Sequence, residues 1–95
     1  MKRFERQKEI LELLEGNQLT VRELKDIIEI NEVTITLNLV DFLLRHYNKM
    51  GYLKRRKNLF NLYSYELSKN GEKQLEWLRN GDYLDYIEVY ELMND

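Results

Sequence analysis

The sequence has no cysteine, no proline and only four glycines in 95 residues. Without cysteine there can be no disulfide and no thiolate metal site, which fits a reducing compartment. With so few residues that break regular structure, the chain should be mainly helical with few turns. Catalytic material is scarce too. There is one histidine, His46, and there are two serines, Ser64 and Ser68, neither beside it in sequence. No glycine-rich phosphate loop and no H-E-x-x-H pattern appears. An enzyme is not expected, nor a cofactor, and a lone histidine is a poor metal ligand. No apolar run approaches the roughly 20 residues of a membrane span. The opening stretch MKRFERQKEI is charged throughout and does not read as a secretory signal. The expectation is a cytoplasmic protein with no membrane partner.

Charge is present in quantity and unevenly placed. The formal net charge is −2. All fifteen Lys and Arg lie before residue 81, against twelve acids, so residues 1–81 carry +3. Residues 82–95 carry five acids and no cation, hence −5. Between Asp41 and Glu66 no acidic residue occurs, while Arg45, Lys49, Lys54, Arg55, Arg56 and Lys57 all do. The local field there is positive even though the whole chain is acidic.

Periodicity orders the elements. Phe4, Ile10, Leu11, Leu13 and Leu14 give one apolar side to a first helix over 3–15, which Gly16 and Asn17 should stop. Thr20 and Glu23 form a capping box for a short helix carrying Leu24, Ile27 and Ile28. Leu19 should pack on Leu24 or pair briefly as a strand. A loop at EINEV leads to a third helix, capped by Asn31 or Thr34 and running to about Met50. In it Leu37, Val40, Leu44 and Tyr47 form a buried stripe, and Asn38, Asp41, Arg45 and Asn48 a polar one. Leu39, Phe42 and Leu43 widen the apolar arc, so this helix should touch more than one neighbour.

Gly51 ends that helix, and YLKRRK and NLYSYEL then read as two strands around NLFN. In the second strand Tyr63, Tyr65 and Leu67 alternate with Leu62, Ser64 and Glu66, and the tyrosine face should lie on the core. Ser68 should cap a fourth helix with Leu75 and Leu78 inward, closed by Gly81. Asp82 should cap a fifth, with Tyr83, Tyr86, Ile87, Tyr90 and Met93 on one side and acids on the other.

This order resembles a winged helix-turn-helix domain over roughly residues 3–79. LTVREL looks like the start of that family's second helix. LLRHYNKMGYLKRR looks like the end of a recognition helix followed by the first wing strand. YSYELSKNGEKQLEWL is similar to the closing segment Y-x-L-[ST]-x-x-G-x-x-x-L. The chain resembles small transcriptional regulators of the MarR/PadR-like group, of archaeal, viral or plasmid type. The stretch from Thr20 to Gly51 is about five residues longer than the commonest spacing in that group. Either the loop near Asn31 is extended or the third helix starts early.

The resemblance implies a mainly α fold with a small β-hairpin wing. Residues 1–80 would form the winged domain and 81–95 an extra C-terminal helix used for dimerisation. It implies double-stranded DNA as partner, with helix 34–50 in the major groove and wing 52–67 on the backbone. Thr34 and Thr36 would donate to phosphates. Asn38, Asp41, Arg45 and Lys49 would face the bases, where Asn suits adenine and Arg guanine. Asp41 would accept from a cytosine amino group or orient Arg45 four residues on. Lys54, Arg55, Arg56, Lys57 and Asn58 would lie along the wing, Lys54 and Arg56 on one face, Arg55 and Lys57 on the other. A homodimer would form through Phe4, Tyr83, Tyr86, Ile87, Tyr90 and Met93. Two rival readings exist. One is a winged-helix module binding another protein in a transcription or replication assembly. The other is single-strand binding, with Tyr63 or Tyr65 stacked on bases.

Overall fold

A computed structural model describes residues 3–30 and 35–81. The elements are α1 (Arg3–Leu13), β1 (Leu19–Thr20), α2 (Val21–Glu29), α3 (Leu37–Lys49), β2 (Leu53–Lys57), β3 (Tyr63–Leu67) and α4 (Lys69–Arg79). This is the winged-helix order. The fifth helix expected over 81–95 lies outside the described residues.

Local chemistry sets most boundaries. Gly16 and Gly51 take positive φ, of 75° and 88°, where a side chain would be strained. At the start of α2, the Glu23 N–H donates to Thr20 Oγ1 at 3.2 Å and the Thr20 N–H donates to Glu23 Oε1 at 3.0 Å. Two otherwise orphaned donors are thereby satisfied, a cap that typically contributes about 1 kcal/mol. Ser68 caps α4 by accepting the Gly71 N–H at 3.0 Å, and its own hydroxyl donates to the Gly51 carbonyl at 2.5 Å. One serine therefore joins the end of α3 to the start of α4.

The cap of α3 differs from expectation. Thr36, not Thr34 or Asn31, holds the extended cap geometry and accepts the Leu39 N–H at 3.1 Å. The helix begins at Leu37. The extra length between Thr20 and Gly51 thus falls between α2 and α3, not in an early start of α3.

The core joins every helix to the sheet. Ile10, Leu11 and Leu14 from the α1 segment meet Leu24 and Ile28 of α2, Val40, Leu44 and Tyr47 of α3, and Leu75 and Leu78 of α4, all buried. Gln7 is buried with them. Its Oε1 accepts from Gln74 Nε2 at 2.7 Å, so α1 and α4 share a satisfied polar contact. Arg79 clasps Glu15 through two hydrogen bonds of 2.8 and 2.9 Å at the far ends of the same pair. That guanidinium holds the exposed Glu15 carboxyl below its ordinary value.

Two placements on α3 depart from the periodic reading. Leu37 is not in the buried stripe, being 36% exposed. Leu39 and Phe42 stay on the surface, with no described neighbour covering them fully. The sheet has three strands, in the order β1-β3-β2, because Leu19 and Thr20 pair antiparallel with Tyr65 and Ser64. Leu19 therefore acts as a strand residue. In β3, Tyr65 is 1% exposed and sits in the core, whereas Tyr63 on the same face is exposed. The hairpin runs outward past the edge of the helical layer, so only its inner half has a core to face.

Tyr47 carries a testable consequence of burial. Its removal from water pushes the phenol up to about 12, from an ordinary value near 10. The folded chain therefore favours the neutral phenol more than the unfolded chain does. That stabilisation is complete below about pH 10 and disappears as pH rises toward 12. Thermal melting followed across this window should show a falling midpoint. Tyr47→Phe should fall less over the same range, and an equal fall in both proteins would remove the assignment to Tyr47.

Candidate nucleic-acid interface

The wing is set by its register. In the β2–β3 ladder Leu53 faces Leu67, Lys54 faces Glu66, Arg55 faces Tyr65, Arg56 faces Ser64 and Lys57 faces Tyr63. Partners directly opposite share a sheet face. Arg55, Lys57, Tyr63 and Tyr65 therefore lie on one side, and Lys54, Arg56, Ser64 and Glu66 on the other. The alternation expected for the four cations is present.

The two faces use their cations differently. On the first, the Arg55 guanidinium stands over the Tyr63 ring at 4.3 Å, and Lys57 Nζ lies 5.6 Å from the same ring. A cation held over an aromatic face keeps its charge and loses some freedom. On the second, Arg56 Nε meets Glu66 Oε1 at 3.2 Å. The acid-free window thus ends with a carboxylate that reaches back into the run. All four cationic side chains remain exposed.

Helix α3 lies beside this hairpin. Val40, Leu44 and Tyr47 point into the core, so the outer line of the helix is Asn38, Phe42, Arg45 and Lys49, all exposed. Asp41 flanks that line and holds Arg45 Nη2 at 3.1 Å, the i, i+4 pairing that orients the guanidinium. Asn48 has a structural task. Its Nδ2 donates to the Leu53 carbonyl at 2.9 Å and ties α3 to the first wing strand. Thr36 is exposed at the helix cap. His46 is exposed and stacked parallel on Phe42, with ring centroids 6.1 Å apart.

Between α3 and the wing runs an open groove of about 650 Å³. Arg45 enters from α3, Arg55 from β2 and Arg22 from the first turn of α2, with Asp41 and Tyr63 on its walls. Three arginines from three elements line one depression. Arg22 was not among the residues the sequence singled out. Its signal was available: it lies within the capping box of Thr20 and Glu23, on the side of α2 away from Leu24 and Ile28. Phe42 was likewise assigned to the apolar arc, although its spacing from Asn38, Arg45 and Lys49 marks the outer face.

The remaining candidates are placed as follows. Asn58 organises the wing turn, its Oδ1 accepting from the Phe60 and Leu62 N–H groups at 2.8 and 3.0 Å. Phe4 meets Trp77 of α4 edge-on within the same chain, centroids 5.6 Å apart. Tyr65 is enclosed and has no face to offer a base. Thr34, Tyr83, Tyr86, Ile87, Tyr90 and Met93 lie outside the described residues. Among the described residues, no group of three or more His, Asp or Glu is arranged to hold a metal ion. No described helix is long and apolar enough to cross a membrane.

No family model and no curated protein matches the chain. Solved structures do. A PadR-like transcriptional regulator from Bacillus cereus superposes with a TM-score of 0.69 at 15% identity, covering 94% of this chain and 91% of that one. The YusO protein of Bacillus subtilis gives 0.69 at 16% identity, over 90% of this chain and 60% of its own. The transcriptional regulator BldR from Sulfolobus solfataricus gives 0.62 at 15% identity, over 94% and 60%. This chain therefore spans less than two thirds of the second and third neighbours. The shared feature is the winged-helix fold, as the order of sequence elements implied.

Proposed function

We propose that this chain is a transcriptional regulator that binds double-stranded DNA. The observation that carries the reading is the convergence of Arg22, Arg45 and Arg55 on the groove between α3 and the wing. A positive depression beside an exposed helix suits a phosphate ridge with a groove on either side. The likeness in fold to regulators from Bacillus cereus and Sulfolobus solfataricus supports it.

In this reading α3 enters the major groove. Asn38 and Arg45 read base edges, Phe42 touches a thymine methyl, and Lys49 meets phosphate. Asp41 serves chiefly to aim Arg45. Lys54 and Lys57 bind the backbone, with Arg55 aimed by Tyr63. The protein acts as a homodimer through residues 81–95 and the region of Phe4. Twofold symmetry then sets two copies of α3 one duplex turn apart. Promoter occlusion, hence repression, is the simplest regulatory outcome.

Fluorescence anisotropy of a labelled mixed-sequence duplex tests the core of this. Titration at several salt concentrations should give log K against log salt a slope between about −4 and about −6 per protomer. A folded protein that leaves the anisotropy flat even near about 50 mM salt would not be a DNA-binding protein. The surface would then belong to a protein partner.

A further inference from the structure

The wing turn has an unusual composition. Asn58-Leu59-Phe60-Asn61-Leu62 places two large apolar residues at the outermost point of the hairpin. Leu59 is 99% exposed and Phe60 82%. They contribute nothing to the core, and a turn needs no apolar residue, since Gly, Asp, Asn or Ser would serve. The backbone beneath them is nevertheless tightly organised. Besides the two bonds accepted by Asn58 Oδ1, the Asn58 N–H donates to the Leu62 carbonyl at 2.9 Å and the Asn61 N–H to the Asn58 carbonyl at 3.1 Å. Asn61 takes a positive φ of 61°, a conformation Asn tolerates better than most residues. The N–H groups of Asn58, Phe60, Asn61 and Leu62 are used internally and the two apolar side chains are exposed. The tip is a preorganised apolar point.

Immediately behind that point stand Lys54, Arg55, Arg56 and Lys57, all exposed. An apolar point on a cationic stem fits a narrow slot with anionic rims and an apolar interior. The minor groove of a duplex is such a slot, about 6 Å wide, lined by two phosphate rows over stacked bases. Reach agrees with this. Five strand residues and the turn extend roughly 20 Å at about 3.3 Å per residue. From a major groove filled by α3, the neighbouring minor groove lies about half a turn away, or about 17 Å.

We propose that Leu59 and Phe60 form a wedge that enters the minor groove beside the α3 site and partly unstacks a base step, bending the DNA. The inference rests on the DNA-binding reading above and adds a deformation to it. Leu and Phe are suited to this task, because their flat or branched apolar surface replaces the lost stacking contact. Unstacking is easiest at pyrimidine–purine steps, so a TA step at the tip's position should be favoured over a stiff A-tract. Sequence preference would then arise at a place where no hydrogen bond reads a base.

The experiment uses the full chain and Leu59→Ser/Phe60→Ser, whose replaced side chains lie outside the core, with circular dichroism to confirm folding. Each is titrated against two end-labelled duplexes, one with TA steps spaced through an otherwise mixed sequence, the other with A-tracts in their place. Anisotropy reads affinity and salt slope, and energy transfer between the duplex ends reads bending. The native protein should raise energy transfer and bind the TA duplex roughly tenfold more tightly. The double variant should lose the bend and the preference and keep the salt slope within about half a unit, because the phosphate contacts are untouched. A native protein that binds without bending overturns the wedge while leaving DNA binding intact, and so does a variant that bends equally well. A native protein that binds neither duplex overturns both readings. In that case, binding to vesicles of anionic lipid that is lost in the double variant would assign the tip to a membrane surface.

Discussion

Gly71→Ala should unfold the protein at a temperature roughly 12–24 °C below the native midpoint, from a loss of about 3 kcal/mol. The direction is opposite to what a helix interior normally gives. Gly71 lies within α4, where alanine would ordinarily be better by about 1 kcal/mol. Here a Cβ would sit 2.0 Å from the Tyr52 carbonyl oxygen and 3.0 Å from its carbon, with Leu67 Cδ2 at 3.2 Å. The nearest obstacle is backbone, not the end of a flexible side chain. That same carbonyl accepts the Ser68 N–H at 3.0 Å, so it cannot turn away without losing a bond. Restoring an ordinary contact of at least 3.4 Å would require α4 to move outward, and Leu75 and Leu78 would leave the core with it. Overpacking therefore outweighs helix propensity. Thermal melting by circular dichroism decides the matter: an alanine variant as stable as the native protein would mean that the close approach of α4 to the wing root does not exist. A domain of this size has only about 5–15 kcal/mol in hand, so the predicted loss is a large share.

Changing Lys54, Arg55, Arg56 and Lys57 together to alanine should remove about 2 to about 3.6 units of salt slope, at about 0.9 for each phosphate released. At about 0.15 M salt this corresponds to duplex binding roughly 50- to 900-fold weaker. The range has a structural cause. Lys54 and Lys57 can bring their full charge to phosphate, Lys57 from its place 5.6 Å from the Tyr63 ring, while Arg56 must share its charge with Glu66 at 3.2 Å. Arg55 stands over Tyr63 at 4.3 Å, already aimed into the groove, and should give nearly its full value. The fold should survive, since all four side chains point to solvent and the ladder is made by backbone. If the variant kept the native affinity and slope, the wing would not touch the backbone. The proposed interface would then shrink to α3 and Arg22. The wedge prediction is separable from this one, because it changes bending and step preference while leaving the slope in place.

Much of this molecule was legible residue by residue. Thr20 with Glu23, and Ser68, announced two helix starts, because a cap is a contract between residues three apart. Gly16 and Gly51 announced two helix ends, because a positive φ is a property of one residue. Periodicity identified Val40, Leu44, Tyr47, Leu75 and Leu78 as core, and strand alternation sorted the four wing cations onto two faces. The pairing of Asp41 with Arg45 was readable for the same reason, both residues lying on one helix turn. The resemblance in element order led to the fold that the solved neighbours share.

What escaped were matters of coverage and convergence. Leu39 and Phe42 are apolar, yet no element among the described residues buries them, and a helix cannot encode how many neighbours it will have. Tyr63 continues the alternation of Tyr65, but the hairpin outruns the core by one pair of residues, so the same pattern gives one buried ring and one beneath an arginine. Thr36 caps α3 where Thr34 or Asn31 was expected, because several polar residues near a helix start compete for the cap and the geometry of the chain entering α3 settles which one wins. Gly71 is the glycine of the closing motif, but the motif does not give the reason for it, which is the distance to a carbonyl nineteen positions earlier. Arg22, Arg45 and Arg55 are far apart in sequence and meet only where α2, α3 and β2 border one groove. The sequence by itself determined the elements, their ends and their inward faces, because those depend on contacts within a turn or on a single residue's backbone. The tertiary structure alone decided which apolar side chains stayed outside and which cations came together, because those depend on where distant elements stop.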